Sequence, residues 1–215
     1  MLKPMLPMLR TARMQDHTAA LGPGIRAVVW FHGCALNCQG CIAKEMNESS
    51  SFTAWTPTQL ADRVLSVKGI EGVTLSGGDP FDQQIDALWE FMEAIKSKSD
   101  LSILSYTGRT LSHLRDDLNE SAIHKILGAL DILIDGPYVE SLNDGSLWRG
   151  SSNQKVHFMS ARYASLKNLV ATEKSRKLEV NLSSSGDFDL TGIPPVGFLE
   201  SLQTRLLEKG LLLRR

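Results

Sequence analysis

All three cysteines of the chain lie in one short loop. They are Cys34, Cys38 and Cys41, spaced C-x3-C-x2-C within the run GCALNCQGC. Zinc and iron–sulfur sites built from sulfur ligands usually take four protein thiolates. Three thiolates would leave one metal position without a cysteine, and an open coordination position is where a substrate can bind. The spacing therefore predicts a metal centre that performs chemistry.

A structural zinc ion is the alternative interpretation of this loop. His32 or His17 could complete a four-coordinate site, which would then be closed and would only stabilise the fold. We favour an iron–sulfur cluster because the chain has no second pair of cysteines. An odd number of cysteines in one cluster also argues against a disulfide framework and fits a reducing compartment.

The stretch Gly22 to Cys41, GPGIRAVVWFHGCALNCQGC, resembles the signature of the radical S-adenosylmethionine (SAM) enzymes. Within that family it resembles the small activases that install a glycyl radical on a partner enzyme, and most of all those that activate anaerobic ribonucleoside-triphosphate reductase. The resemblance covers roughly residues 21–154. Four further runs fit this group, namely SGGDP at 76–80, YTG at 106–108, DGPY at 135–138 and RGSSNQ at 149–154.

The resemblance implies a [4Fe–4S] cluster held by Cys34, Cys38 and Cys41, with a fourth iron open to SAM. It further implies that the reduced cluster cleaves SAM, and that a 5′-deoxyadenosyl radical then removes hydrogen from a glycine of a partner enzyme. The implied partner is a glycyl radical enzyme, anaerobic ribonucleotide reductase, and the implied electron donor is flavodoxin-like or ferredoxin-like. No catalytic residue is implied beyond the cluster and SAM.

The resemblance also implies where SAM binds. Gly40 stands where many radical SAM enzymes have an aromatic residue, and the reductase activases also have glycine there. Backbone from Gly40 to Ile42 would contact the adenine. The run after the second predicted strand would bind the methionine end of SAM through Ser76, Gly77, Gly78 and Asp79. Thr107 is a candidate contact to the ribose or carboxylate of SAM.

Two of these runs also have ordinary interpretations. Asp79 could cap a helix whose first turn contains Pro80. RGSSNQ could be a solvated loop, although its resemblance to the subgroup favours a loop that faces the active site or the partner. Arg26, at the start of a predicted buried strand, is interpreted as a structural ion-pair residue, and the alternative is a place in the surroundings of the substrate carboxylate.

The elements that must position these motifs alternate between strand and helix. Hydrophobic runs predict strands at 25–32, 72–76, 101–106 and 130–134, and helical spacing predicts helices at 58–67, 84–98 and 111–127. Such alternation predicts an α/β fold of parallel βα units, and the resemblance implies a partial (βα) barrel of the radical SAM type. Each motif follows one strand, so all should meet at the carboxyl edge of the sheet.

We expect the chain to be divided into three parts. Residues 1–20 lack periodicity and are interpreted as an N-terminal extension, 21–160 as the radical SAM catalytic domain, and 161–215 as an appendage packed on it. In the appendage, alternation at 177–190 around a Ser-Ser-Gly-Asp turn predicts a β-hairpin, and 198–207 predicts an amphipathic helix.

Composition limits the classes of partner. At 215 residues and 42% hydrophobic, the chain can bury a full core. A formal charge of −1 gives no electrostatic reason to bind nucleic acid or an anionic membrane. The apolar run Leu2 to Met8 is short and interrupted by Pro4 and Pro7, so it predicts neither a spanning helix nor a secretory signal. We expect a cytoplasmic protein.

Two other functions stay open at this point. One is a radical SAM enzyme that acts on a small molecule, similar to 7-carboxy-7-deazaguanine synthase, which would need a closed pocket with basic or polar groups. The other is a non-catalytic metal-binding interaction module, which would hold zinc and would not cleave SAM. The RGSSNQ run favours the activase.

Overall fold

A computed structural model describes residues 7–48, 51–116, 121–174, 177–182 and 188–210 of the chain. The strands are β1 (Leu9–Thr18), β2 (Arg26–Phe31), β3 (Thr53–Trp55), β4 (Gly72–Gly77), β5 (Ser102–Tyr106), β6 (Ile132–Asp135), β7 (Lys155–Phe158), β8 (Leu178–Leu182) and β9 (Phe188–Gly192). The helices are α1 (Lys44–Glu48), α2 (Pro57–Leu65), α3 (Ile85–Lys98), α4 (Leu111–Asp116), α5 (Ser121–Ala129), α6 (Lys167–Thr172) and α7 (Phe198–Leu207).

The main sheet is mixed, with strand order β3-β1-β2-β4-β5-β6-β7. Its centre is the four predicted strands β2, β4, β5 and β6, which pair in parallel. On one side β1 and β3 pair antiparallel, and on the other side β7 pairs antiparallel with β6. The prediction of an α/β fold is confirmed, whereas the expectation of a sheet with parallel strands holds only for this centre. The partial barrel stays a prediction.

The segment predicted as an N-terminal extension contains a strand of the main sheet. β1 lies between β2 and β3, and Leu9 is fully buried. The expectation of an irregular extension is therefore wrong for Leu9–Thr18. Register shifts occur between Thr11 and Arg13 and between Gln15 and Thr18. Such irregularities interrupt the two-residue alternation by which a strand is recognised in a sequence.

The appendage folds largely as predicted. β8 and β9 form an antiparallel hairpin separate from the main sheet, and α7 covers the predicted helix. The predicted Ser-Ser-Gly-Asp turn falls within 183–187, outside the described residues. No helix in the described part of the chain combines the length and apolarity needed to cross a membrane.

The helices α2, α3 and α5 pack on one face of the sheet, and Trp148, together with Val170 of α6, covers part of the other face. Val29 and Phe31 of β2 point into the helix-covered core, and Val28 and Trp30 point to the opposite face. The helix predicted at 84–98 is confirmed as α3, whose residues Leu88, Met92 and Ile95 are buried in this core. α2 begins with a capping box formed by Thr56 and Gln59, and Pro57 is its first residue.

Arg26 ties the central strands together through hydrogen bonds. Its side chain is fully buried and donates to Thr74 Oγ1 at 2.8 Å and to Val73 O at 2.7 Å on β4. It also donates to Ser102 Oγ at 2.8 Å on β5. The interpretation as an ion-pair residue is wrong, because within the described residues Arg26 donates only to hydroxyl and carbonyl oxygens and no carboxylate forms an ion pair with it. Burial lowers the pKa of this guanidinium.

Asp131, directly before β6, joins three neighbouring elements. Its Oδ2 accepts hydrogen bonds from Lys96 Nζ of α3 at 2.8 Å and from Ile103 N of β5 at 2.9 Å. Its Oδ1 accepts from Ser160 Oγ at 2.7 Å, just after β7. Burial by itself raises the pKa of Asp131, but the bonds from Lys96, Ser160 and Ile103 outweigh it and lower the pKa.

We predict that Asp131→Ala lowers the free energy of unfolding by about 2 kcal/mol at pH 7, because it leaves the buried Ile103 N–H without its acceptor. Urea unfolding measures the change. A carboxyl with a lowered folded-state pKa stabilises above its ordinary pKa of about 3.9 and loses that effect as the pH falls through the lowered value. The difference from wild type should therefore shrink below about pH 4. The exposed residue Asp116 serves as control, and Asp116→Ala should change the stability by less than about 0.5 kcal/mol.

Candidate functional site

One cavity lies at the carboxyl ends of β2, β4, β5 and β6. Residues from all the predicted strand-end motifs form its wall, including Cys34, Cys38, Cys41, Ile42, Ser76, Gly77, Gly78, Asp79, Thr107, Gly136 and Tyr138. Runs separated by up to a hundred residues thus meet at one edge of the sheet, as parallel strands require.

Gly40 is the one predicted contact that is not part of this wall. It adopts a left-handed conformation with φ 69°, which favours glycine. A Cβ at this position would lie 2.8 Å from Glu140 Cδ. The Glu140 carboxylate, which follows the DGPY run, therefore occupies the space that a larger side chain at position 40 would need.

The thiol groups of the loop are close enough to influence one another. Burial raises the pKa of Cys41, and the neighbouring Cys38 and Cys34 raise it further. Burial also raises the pKa of Cys34, although the backbone N–H groups of Leu36 and Asn37 act in the opposite direction. Because three thiolates so close together repel one another, they favour a positively charged centre between them. Cysteine thiolates supported by backbone N–H groups fit an iron–sulfur cluster.

The two histidines considered as zinc ligands have other partners. His17 Nε2 lies 2.8 Å from Lys68 O, and the His32 ring packs against Phe52 with centroids 5.0 Å apart. Among the described residues, no group of three or more His, Cys, Asp or Glu side chains is arranged to hold a single metal ion.

Asp79 links the turn after β4 to the turn after β5. Its Oδ1 accepts from Phe81 N at 2.9 Å and caps the 3-10 turn Pro80–Asp82, so the capping interpretation is confirmed. Its Oδ2 accepts from Thr107 Oγ1 at 2.9 Å and from Gly108 N at 3.1 Å. The side chain is 1% exposed. Burial raises the pKa of Asp79, and this effect outweighs the hydrogen bonds, which lower the pKa. The contacts give Asp79 and Thr107 a positioning role, and their direct contact with SAM stays a prediction.

The paired glycines let the turn after β4 pass directly against the cysteine loop. A Cβ at Gly78 would lie 2.0 Å from Gly33 O. Gly77 has φ 95°, and a Cβ there would meet the Phe31 backbone at 2.5 Å. Gly78 N donates to Phe31 O at 2.7 Å and Asp79 N donates to Gly33 O at 2.9 Å. The need for glycine at these positions is thus explained by chain packing, and their contact with a ligand stays a prediction.

The RGSSNQ run is folded against the DGPY run. Gln154 Oε1 accepts from Gly150 N at 2.8 Å, and Gln154 Nε2 donates to Gly136 O at 2.9 Å. Ser151 is fully buried, and Ser151 Oγ accepts from Val139 N at 3.1 Å. The solvated-loop interpretation is wrong for Gly150 and Ser151, whereas Ser152 is exposed. Because Gly150 and Gln154 line the cavity, the run is part of the site.

Comparison with known proteins agrees with this geometry. Residues 20–157 match the family described as "4Fe-4S single cluster domain". The chain is 32% identical over 145 residues to the anaerobic ribonucleoside-triphosphate reductase-activating protein of Escherichia coli (strain K12), covering 64% of this chain and 91% of that protein. The chain belongs to this family of reductase-activating proteins.

Two further relatives come from other organisms. The activating protein of the same name from Enterobacteria phage T4 is 31% identical over 140 residues, which cover 63% of this chain and 85% of that protein. The pyruvate formate-lyase-activating enzyme of Listeria monocytogenes is 35% identical over 81 residues, which cover 35% of this chain and only 32% of that enzyme. The similarity to the reductase-activating proteins therefore extends over far more of both chains.

Part of the cavity wall lies outside the residues that match the 4Fe–4S family. Leu190, Thr191, Gly192 and Ile193, at the end of the hairpin, line the cavity, as does Arg13 of β1. The Arg13 guanidinium lies 4.8 Å from the centre of the Trp30 ring and 3.5 Å from Asp189 Oδ1. The sequence did not indicate these residues, because the bulges of β1 hide its pattern and nothing local shows where a hairpin packs.

Asn47 was also missed by the sequence interpretation. Its Oδ1 accepts from Cys34 N at 2.6 Å and its Nδ2 donates to Cys34 O at 3.2 Å, so one side chain satisfies both backbone groups of the first cysteine. Asp82 Oδ2 accepts from Ala35 N at 2.7 Å and holds the next residue. In the sequence, the only sign of this role was an asparagine six residues after the last cysteine.

We predict that Asn47→Leu weakens retention of the cluster, because it removes two hydrogen bonds worth about 1 kcal/mol each from the loop. After anaerobic reconstitution, loss of iron to a chelator should be roughly tenfold faster than in wild type. The drop in visible absorption measures this rate. Asn168→Leu, an exposed change on α6, is the control and should retain iron like the wild type. Equal rates for Asn47→Leu and wild type would contradict the anchoring role.

Proposed function

We propose that the protein is a radical SAM activase that removes a hydrogen atom from a glycine of a partner enzyme. The observation that carries this proposal is the placement of all three cysteines around one cavity, beside the SGGDP turn, in a chain of the reductase-activating family. When bound at Cys34, Cys38 and Cys41, a reduced [4Fe–4S] cluster with one iron free of cysteine would supply the electron that cleaves SAM.

The residues of the chain would hold and orient the cofactors. Asn47 and Asp82 fix the backbone of the cysteine loop, and Asp79 fixes the two neighbouring turns. We propose that the backbone between Gly40 and Ile42 contacts the adenine of SAM. We further propose that the methionine end of SAM lies along the turn after β4, near Thr107. That turn contains Ser76, Gly77, Gly78 and Asp79.

Apolar residues of the wall would exclude water from the reacting groups. Trp30, Leu36 and Ile193 line the cavity, and Tyr106 lies beside them. The Tyr106 hydroxyl donates to Trp148 O at 2.9 Å, and burial raises its pKa far above the ordinary value. Tyr106 is therefore a neutral wall residue. A dry wall limits the side reactions of a radical.

The proposed partner is a glycyl radical enzyme, anaerobic ribonucleotide reductase. The relatives from Escherichia coli and phage T4 carry that reductase in their names and match over 91% and 85% of their lengths, whereas the lyase-activating relative matches over 32%. We propose a flavodoxin-like or ferredoxin-like protein as the electron donor and the cytoplasm as the location.

Single substitution of each cysteine tests the cluster. We predict that Cys34→Ala, Cys38→Ala and Cys41→Ala each abolish formation of 5′-deoxyadenosine from SAM, because each removes one of three iron ligands. The measurements are iron and sulfide content, visible absorption, and chromatography of the nucleoside products after reduction. A variant that cleaved SAM at the wild-type rate would remove that cysteine from the site.

Electron paramagnetic resonance of the reduced protein tests the open iron. We expect the cluster signal to change when SAM is added, since SAM would bind directly to that iron. An unchanged signal would argue against the activase. Dependence of 5′-deoxyadenosine formation on the reductase partner then separates an activase from an enzyme that acts on a small molecule.

We predict that Asp79→Ala retains the cluster but weakens SAM binding roughly tenfold or more, because the turns after β4 and β5 lose their shared acceptor. Equilibrium dialysis with labelled SAM, alongside iron content, separates the two effects. The exposed Asp86→Ala on α3 is the matched control and should bind SAM normally. Unaltered SAM affinity in Asp79→Ala would show that SAM does not bind beside this turn.

A further inference from the structure

β7 is an open edge of the main sheet. It is the last strand in the order, and among the described residues no strand pairs with its outer side. Met159 N donates to Asp131 O at 2.9 Å, and these two residues are opposite each other in the β6–β7 register. In an antiparallel pair, hydrogen-bonded and non-hydrogen-bonded pairs alternate. The N–H and C=O groups of Val156 and Phe158 therefore point away from β6, toward the open edge.

A groove follows this edge and takes its walls from both faces of the sheet. On the face of His157, Leu111 and Arg115 of α4 form one wall. On the face of Phe158, Lys167 and Val170 of α6 form the other. The groove has a volume of about 560 Å³, within the size range of binding sites. Because its two walls belong to opposite faces, its floor is the free backbone of β7.

The groove has a basic lining. Arg115, Lys155 and Lys167 are exposed beside it, and Arg149 and His157 also line it, whereas none of the described lining residues is Asp or Glu. Asp135 lies behind His157, with its Oδ1 3.0 Å from His157 Nε2 and its Oδ2 accepting from Leu111 N. This positive charge contrasts with the formal charge of −1 for the whole chain.

We propose that β7 is a docking edge for an extended acidic segment of a partner protein, which adds to the main sheet as a further strand. The outward N–H and C=O groups of Val156 and Phe158 would pair with its backbone, and the cations on both walls would bind its acidic side chains. The same charges oppose pairing of β7 with β7 of a second copy, so the edge selects against self-association.

The docking edge lies next to the cavity and is independent of the chemistry proposed there. The loop 149–154 borders both places, since Arg149 lines the groove and Gly150 and Gln154 line the cavity. Arg149 donates to Gln154 O at 3.3 Å and to Val170 O at 3.5 Å, which joins the loop to both sides. A segment bound along β7 would thus hold a partner beside the cavity wall.

Peptide binding tests the charge of the docking edge. The probe is a fluorescein-labelled eight-residue peptide of alternating Glu and Val, titrated at low salt with the full chain after cluster reconstitution and followed by fluorescence anisotropy. We expect binding that weakens as salt is added, and no binding of the same peptide with Lys in place of Glu. The triple variant Arg115→Gln, Lys155→Gln, Lys167→Gln should bind at least about tenfold more weakly.

The control is a second triple variant, which loses the same three positive charges outside the groove. Lys68, Arg205 and Lys209 are exposed and lie outside the groove, so Lys68→Gln, Arg205→Gln, Lys209→Gln should bind the acidic peptide like the wild type. Equal weakening in both triple variants, or equal binding of the Lys and Glu peptides, would overturn the proposal.

Backbone substitutions test strand addition itself. Val156→Pro removes an outward N–H but no ladder bond to β6, so it should abolish peptide binding while the circular dichroism spectrum is kept. On the wild-type protein, the Glu–Val peptide with alternate amides N-methylated should also fail to bind. Normal binding of that methylated peptide would overturn strand addition, whether or not Val156→Pro folds.

Inorganic triphosphate tests whether the groove is instead a phosphate site. The proposal would be overturned if triphosphate bound wild type and Val156→Pro equally and the acidic peptide did not bind.

Discussion

The close passage of the turn after β4 against the loop after β2 is the constraint on which the site depends. A Cβ at Gly78 would lie 2.0 Å from Gly33 O, and Asp79 N donates to that same oxygen at 2.9 Å. Only glycine allows this approach. It places the Asp79 carboxylate where Thr107 and Gly108 of the next turn can donate to it. Three strand ends are thereby joined around one cavity, and the cysteine loop is held against them.

The same arrangement collects negative charge beside the cysteines. Asp79 and Asp82 both raise the pKa of the Cys34 thiol, after the larger effect of burial. Arg109 lies between them, bonded to Asp82 and 3.6 Å from Asp79 Oδ2. Burial alone lowers the pKa of Arg109, but its bond to Asp82 and the charges of both carboxylates outweigh it, so Arg109 stays a cation. Three thiolates would add three further negative charges, which a cationic iron–sulfur core would offset in part.

Local patterns were sufficient for the elements that carry regular periodicity. The four central strands and the helices α2, α3 and α7 could be predicted because each has a continuous apolar run or stripe within its own residues. β1 could not, since its register shifts interrupt the alternation, and neither could the short elements α1 and β3. The RGSSNQ loop appears polar in sequence, yet Gly150 and Ser151 are buried, because side chains of the loop bond to the DGPY turn. Polar composition alone cannot distinguish a solvated loop from one whose groups are satisfied internally.

By itself, the sequence determined the donor set and its place on the sheet: three cysteines in one loop, and glycine-rich turns after successive parallel strands. Only the tertiary structure decided which partner each side chain has. It showed that Asp79 is bonded within the protein, that Asn47 holds Cys34, and that Leu190–Ile193 and Arg13 complete the cavity. Those contacts join residues far apart in the chain, and they depend on distances of a few ångströms that no local periodicity encodes.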